Sequence, residues 1–231
     1  MNEAFEHIPV IPPQLRRDVP RLEEVWFERF ATARANDVCN HIGRLYTMEG
    51  IQPLTTKSRR AVGQALTVKP YPGDGLTVLG AAALSQPNDV LVVDARGYTG
   101  VSMAGFNMAR APRDRGLKAI IVDGALRDAD EFDEVGFPVF GRGIAAHASP
   151  KRQVGDINVP VSCGGVIVEP GDLIVADETG IVVVPAKYVA KVWDAVSSPP
   201  SDVYGPEIFE IEQRRWRVYE QAFRTADGLD N

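Results

Sequence analysis

Gly105-Phe106-Asn107-Met108, followed a helix-length later by Ile120-Ile121-Val122-Asp123-Gly124-Ala125-Leu126-Arg127-Asp128 and then Glu131, is the stretch that decides how this chain folds. Together with the run ending Val92-Val93-Asp94 it gives two short β-branched apolar segments, each followed by a polar, glycine-bearing loop. That is the pattern of parallel strands, and ligands of open α/β sheets collect beyond the C-terminal ends of such strands. Just past the second run stand a cation and an anion, Arg127 and Asp128. A guanidinium fork holds a carboxylate or enolate through paired hydrogen bonds, and a carboxylate offers oxygen to a hard divalent cation. The same pair also reads as surface charge or as the acidic start of a helix.

Outward from this stretch, Ala61 to Val68 reads as a strand, Leu76 to Leu84 as a helix and Asp89 to Asp94 as a buried strand. Phe106 to Arg115 reads as a helix ended by Gly116, with Pro112 expected to kink it or remove a hydrogen bond. Lys118 to Asp123 is the next strand, and a short helical or turn segment follows Arg127. This repeated strand-loop-helix order implies crossovers and at least partly parallel pairing. Beyond Phe137-Pro138-Val139-Phe140 the character changes. Val159 to Ser162, Val166 to Glu169, Leu173 to Ala176 and Ile181 to Val184 are strands without intervening helices, and a helix begins near Lys187.

At the other end, residues 7 to 20 carry Pro9, Pro12, Pro13 and Pro20 and predict an extended arm packed on something, another subunit being one candidate. Leu22, Val25, Trp26, Phe30 and Ala31 recur at helical spacing and predict an amphipathic helix over 22–35, with Asn36-Asp37 as the cap of a second helix towards Arg44. Three segments follow: an arm over 1–20, a domain over 21–197 and a helical extension over 198–231. Ser197 to Ser201 breaks the chain before a terminal helix over 206–222 whose Ile208, Phe209, Ile211, Trp216, Val218, Tyr219 and Phe223 suit a subunit boundary.

With 25 Lys and Arg against 31 Asp and Glu, the 231-residue chain has a formal net charge of −6 and lacks the bulk footprint of a nucleic-acid binder. No apolar run approaches membrane-spanning length, and the acidic start Met1-Asn2-Glu3 is unlike a signal peptide, so a cytoplasmic protein is expected. Cys39 and Cys163 are far apart, outside any C-x-x-C spacing, and read as free buried thiols. His7, His41 and His147 form no H-E-x-x-H motif. In Gly100-Val101-Ser102-Met103-Ala104-Gly105 the second glycine comes one position too late for a nucleophile elbow, so Ser102 reads as loop structure.

Asp94, Gly97, Gly105, Gly116, Asp123, Gly124, Arg127, Asp128 and Glu131 fall in an arrangement that resembles the RraA-like family. The likeness extends from Ala35-Asn36-Asp37, through Gly50-Ile51-Gln52-Pro53-Leu54 and Gly63 to Val68, to Gly164-Gly165-Val166 and Pro170-Gly171-Asp172, covering roughly residues 30 to 190. The resemblance implies an α/β fold of the swivelling β/β/α type, with partly parallel sheets and flanking helices, assembled as a homotrimer or hexamer. It also implies a metal-dependent (class II) carbon-carbon lyase: a 4-hydroxy-4-methyl-2-oxoglutarate aldolase with oxaloacetate decarboxylase activity through the same pyruvate enolate. The alternative that the same resemblance carries is a non-enzymatic regulator of ribonuclease E activity.

On that resemblance, Gly105, Phe106, Asn107 and Met108 bind the substrate's pyruvate portion through the backbone. A helix N-terminus, with its unpaired N–H groups, suits that role. Phe106 and Asn107 stand where acidic and leucine side chains are common in the family, which bears on substrate choice. Arg127 contacts the 2-oxo oxygen and carboxylate and stabilises the enolate, while Asp128 anchors Mg²⁺ or Mn²⁺. Glu131, three residues after Asp128 and four after Arg127, would share a helical face with both and either orient metal water or pair with Arg127. No base for the hydroxyl proton is identifiable. Glu207, Glu210 and Glu212 lie on the terminal segment without an assigned role.

Overall fold

The computed structural model describes residues 11–198 and 206–226. Contacts divide the chain into two units, 1–195 and 196–231. In the first, α1 (Glu24–Phe30) and α2 (Ala35–Ile42) precede β1 (Gln52–Pro53) and β2 (Ala61–Lys69). Crossovers then alternate: α3 (Leu76–Leu84), β3 (Asp89–Ser102), α4 (Phe106–Asp114), β4 (Ala119–Leu126), α5 (Ala129–Glu134) and β5 (Val139–Ile144). Short strands follow: β6 (Asp156–Ile157), β7 (Val161–Cys163), β8 (Val166–Val168), β9 (Leu173–Asp177) and β10 (Gly180–Val184), then α6 (Val189–Ser197). The second unit carries α7 (Pro206–Ala226).

β5, β4, β3 and β2 pair in parallel at the centre of one sheet ordered β1-β5-β4-β3-β2-β9-β10, and β1, β6, β9 and β10 join antiparallel. β7 and β8 form a separate hairpin. Every residue of β4 is buried, because both faces of a parallel sheet are covered and its sequence is a continuous apolar run. On one face Leu91, Val93, Ile120 and Val122 pack with Val78, Phe106, Ala109 and Phe132 from the helices. On the other, Val90, Val92, Ile121 and Phe140 pack with Val161, Cys163 and Val168 of the hairpin. The expected mixed α/β architecture with a partly parallel sheet is therefore what the chain forms.

Several local expectations need correction. β3 does not end at Asp94: it bulges outward over 96–100, with Arg96 at φ 55° and Gly97 at φ 73°, and rejoins β4 at Ser102. The bulge keeps β-type pairing at Tyr98 and Gly124 while carrying no apolar run that could announce it. The first helix stops at Phe30. α2 starts at Ala35 with Asn36 and Asp37 inside its first turn, and its N-terminal cap comes from afar: Ala35 N–H donates to Asp177 Oδ2 at 2.8 Å. β7 begins after Pro160 rather than at Val159, since proline has no N–H to give a ladder. Pro112, as expected, lies inside α4 with no N–H to give the helix, and its ring is buried; the helix closes with Arg115 N–H shared between Ala111 and Pro112 carbonyls.

The described part of the proline-bearing arm packs on its own chain. Ile157 N–H donates to Gln14 O (2.8 Å), Arg16 N–H donates to Ile157 O (3.2 Å), and Arg21 pairs with buried Asp89. Burial pushes the Asp89 carboxyl up, against the pull of Gln86 N–H and Arg21. His7 and the break at Pro199, Pro200 and Ser201 lie outside the described residues, as do the side chains of Glu207, Ile208 and Phe209. Among the described residues, no helix is long and apolar enough to cross a membrane.

Candidate active site

After its bulge, β3 is laced to the end of β4: Met103 N–H donates to Ala125 O (2.9 Å) and Arg127 N–H to Ala104 O (3.1 Å). This brings Gly105, at the entry of α4, against the Arg127-Asp128 pair. A Cβ on residue 105 would lie 2.6 Å from Asp128 Oδ2 and 2.9 Å from Arg127 Nε, so only glycine permits this approach. Asp128 sits in the left-handed region (φ 61°, ψ 37°), a conformation that aspartate tolerates better than most residues and that concentrates at functional sites. Its carboxylate does not cap the helix it begins. Oδ2 instead accepts the Phe106 N–H of α4 at 3.0 Å and lies 3.5 Å from Arg127 Nε.

The α4 N-terminus is therefore partly occupied from within. Phe106 N–H is taken by Asp128, and Met108 N–H turns back to Gly105 O (3.1 Å). The N–H groups of Gly105 and Asn107 make no hydrogen bond among the described residues and remain for a ligand, and the half-buried Arg127 lines the same space. These groups open into a cavity of about 310 Å³ lined by Ser102–Gly105, Asn107, Met108 and Arg127 on one side and by Gly75, Leu79, Ala148, Ser149 and Lys151 on the other.

Of the residues singled out in the sequence, Gly105, Asn107, Met108 and Arg127 meet at this cavity. Phe106 contributes its backbone only: the ring is buried, edge-on to Phe132 at 5.4 Å with Arg110 over it. Asp128 stands behind Gly105. Glu131 does not join the pair in the way expected, because the left-handed Asp128 separates Arg127 from α5, so the three share no helical face. It makes no ion pair among the described residues. His147 is exposed and outside the lining, and the Ser102 hydroxyl is spent on Ala104 O at 2.7 Å.

Gly75, Leu79, Ser149 and Lys151 were not foreseen. They come from the start of α3 and from a segment tied to it by Gly75 N–H to Pro150 O (2.8 Å) and Arg152 N–H to Asp74 Oδ2 (2.8 Å), pairings with no local sequence signal. Asp94 and Asp123 serve the opposite face of the sheet. Asp123 binds Arg142 and accepts Gly164 N–H at 2.9 Å, and its hydrogen bond raises the Arg142 pKa. Burial first, then Asp123 and Asp94, push the Cys163 thiol well above its ordinary range, leaving it an inert core residue.

The RraA-like (Aldolase/RraA) sequence pattern matches residues 32–183, about two thirds of the chain. The chain belongs to the RraA-like family. A Halalkalibacterium halodurans relative with a provisional 4-hydroxy-4-methyl-2-oxoglutarate aldolase name is 43% identical over 135 residues, 58% of this chain and 64% of the relative. The aligned stretch thus spans less than two thirds of that protein. The 4-hydroxy-4-methyl-2-oxoglutarate aldolase of Thermus thermophilus is 30% identical over 159 residues, 66% of this chain and 93% of that enzyme. Among solved structures, Streptomyces coelicolor RraAS2, described as an unusual member of the RNase ES inhibitor RraA protein family, superposes with a TM-score of 0.69 at 27% identity, covering 87% of this chain and 98% of RraAS2. Against this RraA-like fold, the lacing of β3 to β4 and the α4 entry are the parts that build the cavity.

Proposed function

We propose that this RraA-like chain is a lyase that cleaves a 4-hydroxy-2-oxo dicarboxylate by retro-aldol reaction to release pyruvate, and that it decarboxylates oxaloacetate through the same enolate. The observation that supports this reading best is the convergence on one cavity of two free amides at a helix N-terminus, the Arg127 guanidinium and the Lys151 ammonium. The substrate's C1 carboxylate meets Gly105 and Asn107 N–H at the positive end of α4. Arg127 faces the 2-oxo oxygen, and Lys151 takes the distal carboxylate. When the C3–C4 bond breaks, its electron pair passes into the C2–C3 enolate, whose oxyanion Arg127 holds. The C4 hydroxyl becomes a carbonyl as its proton leaves. No carboxylate or imidazole lines the cavity among the described residues, so water is the acceptor we assign. Protonation of C3 yields pyruvate.

The family resemblance implies Mg²⁺ or Mn²⁺. Among the described residues no group of three His, Cys, Asp or Glu gathers. Asp128 Oδ1, however, makes no hydrogen bond or ion pair among them, and such ions commonly use one or two protein carboxylates and fill the remaining positions with water and substrate oxygens. One anchoring carboxylate fits that habit; Asp128 lies outside the cavity lining, so an ion it held would reach a 2-oxo acid there through its water shell. A bound ion would withdraw charge from the 2-oxo group. Glu131 is kept as a candidate to orient metal water. We also propose a ring assembly, trimer or hexamer, and a cytoplasmic location.

Pyruvate release from 4-hydroxy-4-methyl-2-oxoglutarate and from oxaloacetate, with Mg²⁺ or Mn²⁺ and with or without chelator, tests the proposal. Release that chelator abolishes is the expected result. Release unaffected by exhaustive chelation removes the metal, and no release from either substrate favours the protein-binding role of the RNase inhibitors in the family.

A further inference from the structure

One polar side chain in the cavity is left over by this scheme. Ser149 is only 6% exposed, and it lines the cavity. Its backbone is fully engaged: the N–H donates to Ser102 O at 3.1 Å and the carbonyl accepts from Lys151 Nζ at 3.4 Å. The hydroxyl makes no hydrogen bond among the described residues. Among the described residues the one buried side-chain oxygen or nitrogen without a partner is Asn158 Oδ1, so the Ser149 oxygen, on a residue otherwise buried, is open to the cavity, where water or a ligand can bond it.

Space has been kept for this hydroxyl. A Cβ on residue 75 would lie 2.3 Å from Ser149 Oγ, so the glycine lets Oγ lie over the α3 entry. Gly75 has φ −93° and ψ 0°, which does not itself demand glycine; the close approach does. The neighbouring wall is apolar, from Leu79, Met108 and Ala148. Ser102, the other serine in the lining, already donates to Ala104 O, and Asn107 is exposed to solvent.

We propose that Ser149 is a specificity-determining residue of this site, its hydroxyl hydrogen-bonding the C4 hydroxyl of the 4-hydroxy-2-oxo dicarboxylate. The inference rests on the lyase reading above. C4 carries both the hydroxyl and the distal carboxylate, and Ser149 and Lys151, two residues apart on one segment, offer partners for both. The serine hydroxyl donates to the C4 oxygen, a hydroxyl before cleavage and a carbonyl afterwards, which leaves the C4 hydroxyl proton to water and lets the contact survive the reaction. Oxaloacetate has no such hydroxyl and leaves Ser149 to water. Sites built to bond a substrate hydroxyl discriminate against analogues that lack it.

The test compares kcat/KM for 4-hydroxy-4-methyl-2-oxoglutarate with kcat/KM for oxaloacetate, read as pyruvate release with Mg²⁺, in the wild-type chain, Ser149→Ala and Gly75→Ala. The ratio of the two should fall roughly tenfold or more in both variants, the Gly75→Ala methyl acting by displacing the hydroxyl. Inhibition by pyruvate, which has no C4, should be the same in all three proteins. An unchanged ratio in folded Ser149→Ala overturns the proposal, and so does an equal loss on both substrates, which marks a structural role. If Ser149→Ala does not fold, the Gly75→Ala ratio decides in the same way. A wild-type chain that releases pyruvate from neither substrate fails the lyase reading before any substitution is made and takes this inference with it.

Discussion

Asp128 Oδ2 already accepts the Phe106 N–H, so a divalent ion and the N-terminus of α4 would draw on the same carboxylate. This makes Asp128→Asn an informative substitution. Asparagine keeps an oxygen acceptor for Phe106 N–H and tolerates a left-handed backbone, so the fold should survive with a stability change of at most about 1 kcal/mol. The lost charge should lower turnover and weaken the response to metal, with excess Mg²⁺ or Mn²⁺ restoring part of it. Arg127→Lys probes the other half of the pair. Its positive charge remains but the planar fork is gone, so turnover should fall by roughly 10²-fold or more while metal binding persists. Metal-titrated kinetics alongside thermal unfolding check both. Two folded variants with normal turnover would leave the pair as helix-entry decoration and defeat the site assignment. At this scale the sequence was informative where chemistry is carried by adjacent residues, as in Arg127-Asp128. It was silent on Ser149 and Lys151, which reach the cavity through pairing between segments about 75 residues apart, such as Gly75 N–H with Pro150 O.

Among the elements, the parallel strands were legible because each is a compact apolar run between glycine-bearing loops, and burial on both faces of β4 is the physical cause of that run. Irregular pieces were not. The outward bulge of β3 carries exposed Arg96, Tyr98 and Thr99 and has no period to read, and the cap of α2 is supplied by Asp177 from 142 residues away. α5 is held by a tether of the same kind. Asp133 accepts Thr56 N–H and Lys57 N–H and pairs with the Thr56 hydroxyl at 2.6 Å, tying the loop after β1 to the helix that follows Asp128. The Thr56 hydroxyl, then Lys57 N–H, lower the Asp133 carboxyl from 3.8 to about 2. A folded-state pKa below the unfolded one contributes stability that is complete above about pH 4 and is lost as pH falls towards 2. Asp133→Asn should therefore melt lower than wild type at pH 7, and the gap should narrow between pH 4 and pH 2. Thermal unfolding followed across that range checks it, and a gap independent of pH would show that the charge is not what holds the tether.

On the scale of the whole chain, α7 carries apolar surface that its own unit leaves open. Trp216 is 70% exposed, Phe223 73% and Val218 65%, and Trp216 meets Tyr219 edge-on at 6.2 Å. Trp216, Tyr219 and Phe223 recur at spacings of three and four, so they make one stripe along the helix rather than scattered contacts. In unit 1, Leu45 (87% exposed) and Ile167 (62% exposed) also face outward, on a 3₁₀ turn and on β8, which contact each other. Contiguous exposed apolar area of this kind ordinarily marks an association surface, and a closed ring is the arrangement in which every copy covers the same patch without growing into a fibre. Light scattering at micromolar concentration should accordingly give a trimer or a hexamer. Removing the residues after Ser198 should give a smaller species, and Trp216→Glu should do so in the full-length chain by placing a charge in the stripe. Assembly unchanged by both would exclude α7 from the interface, and a wild-type monomer would remove the ring altogether.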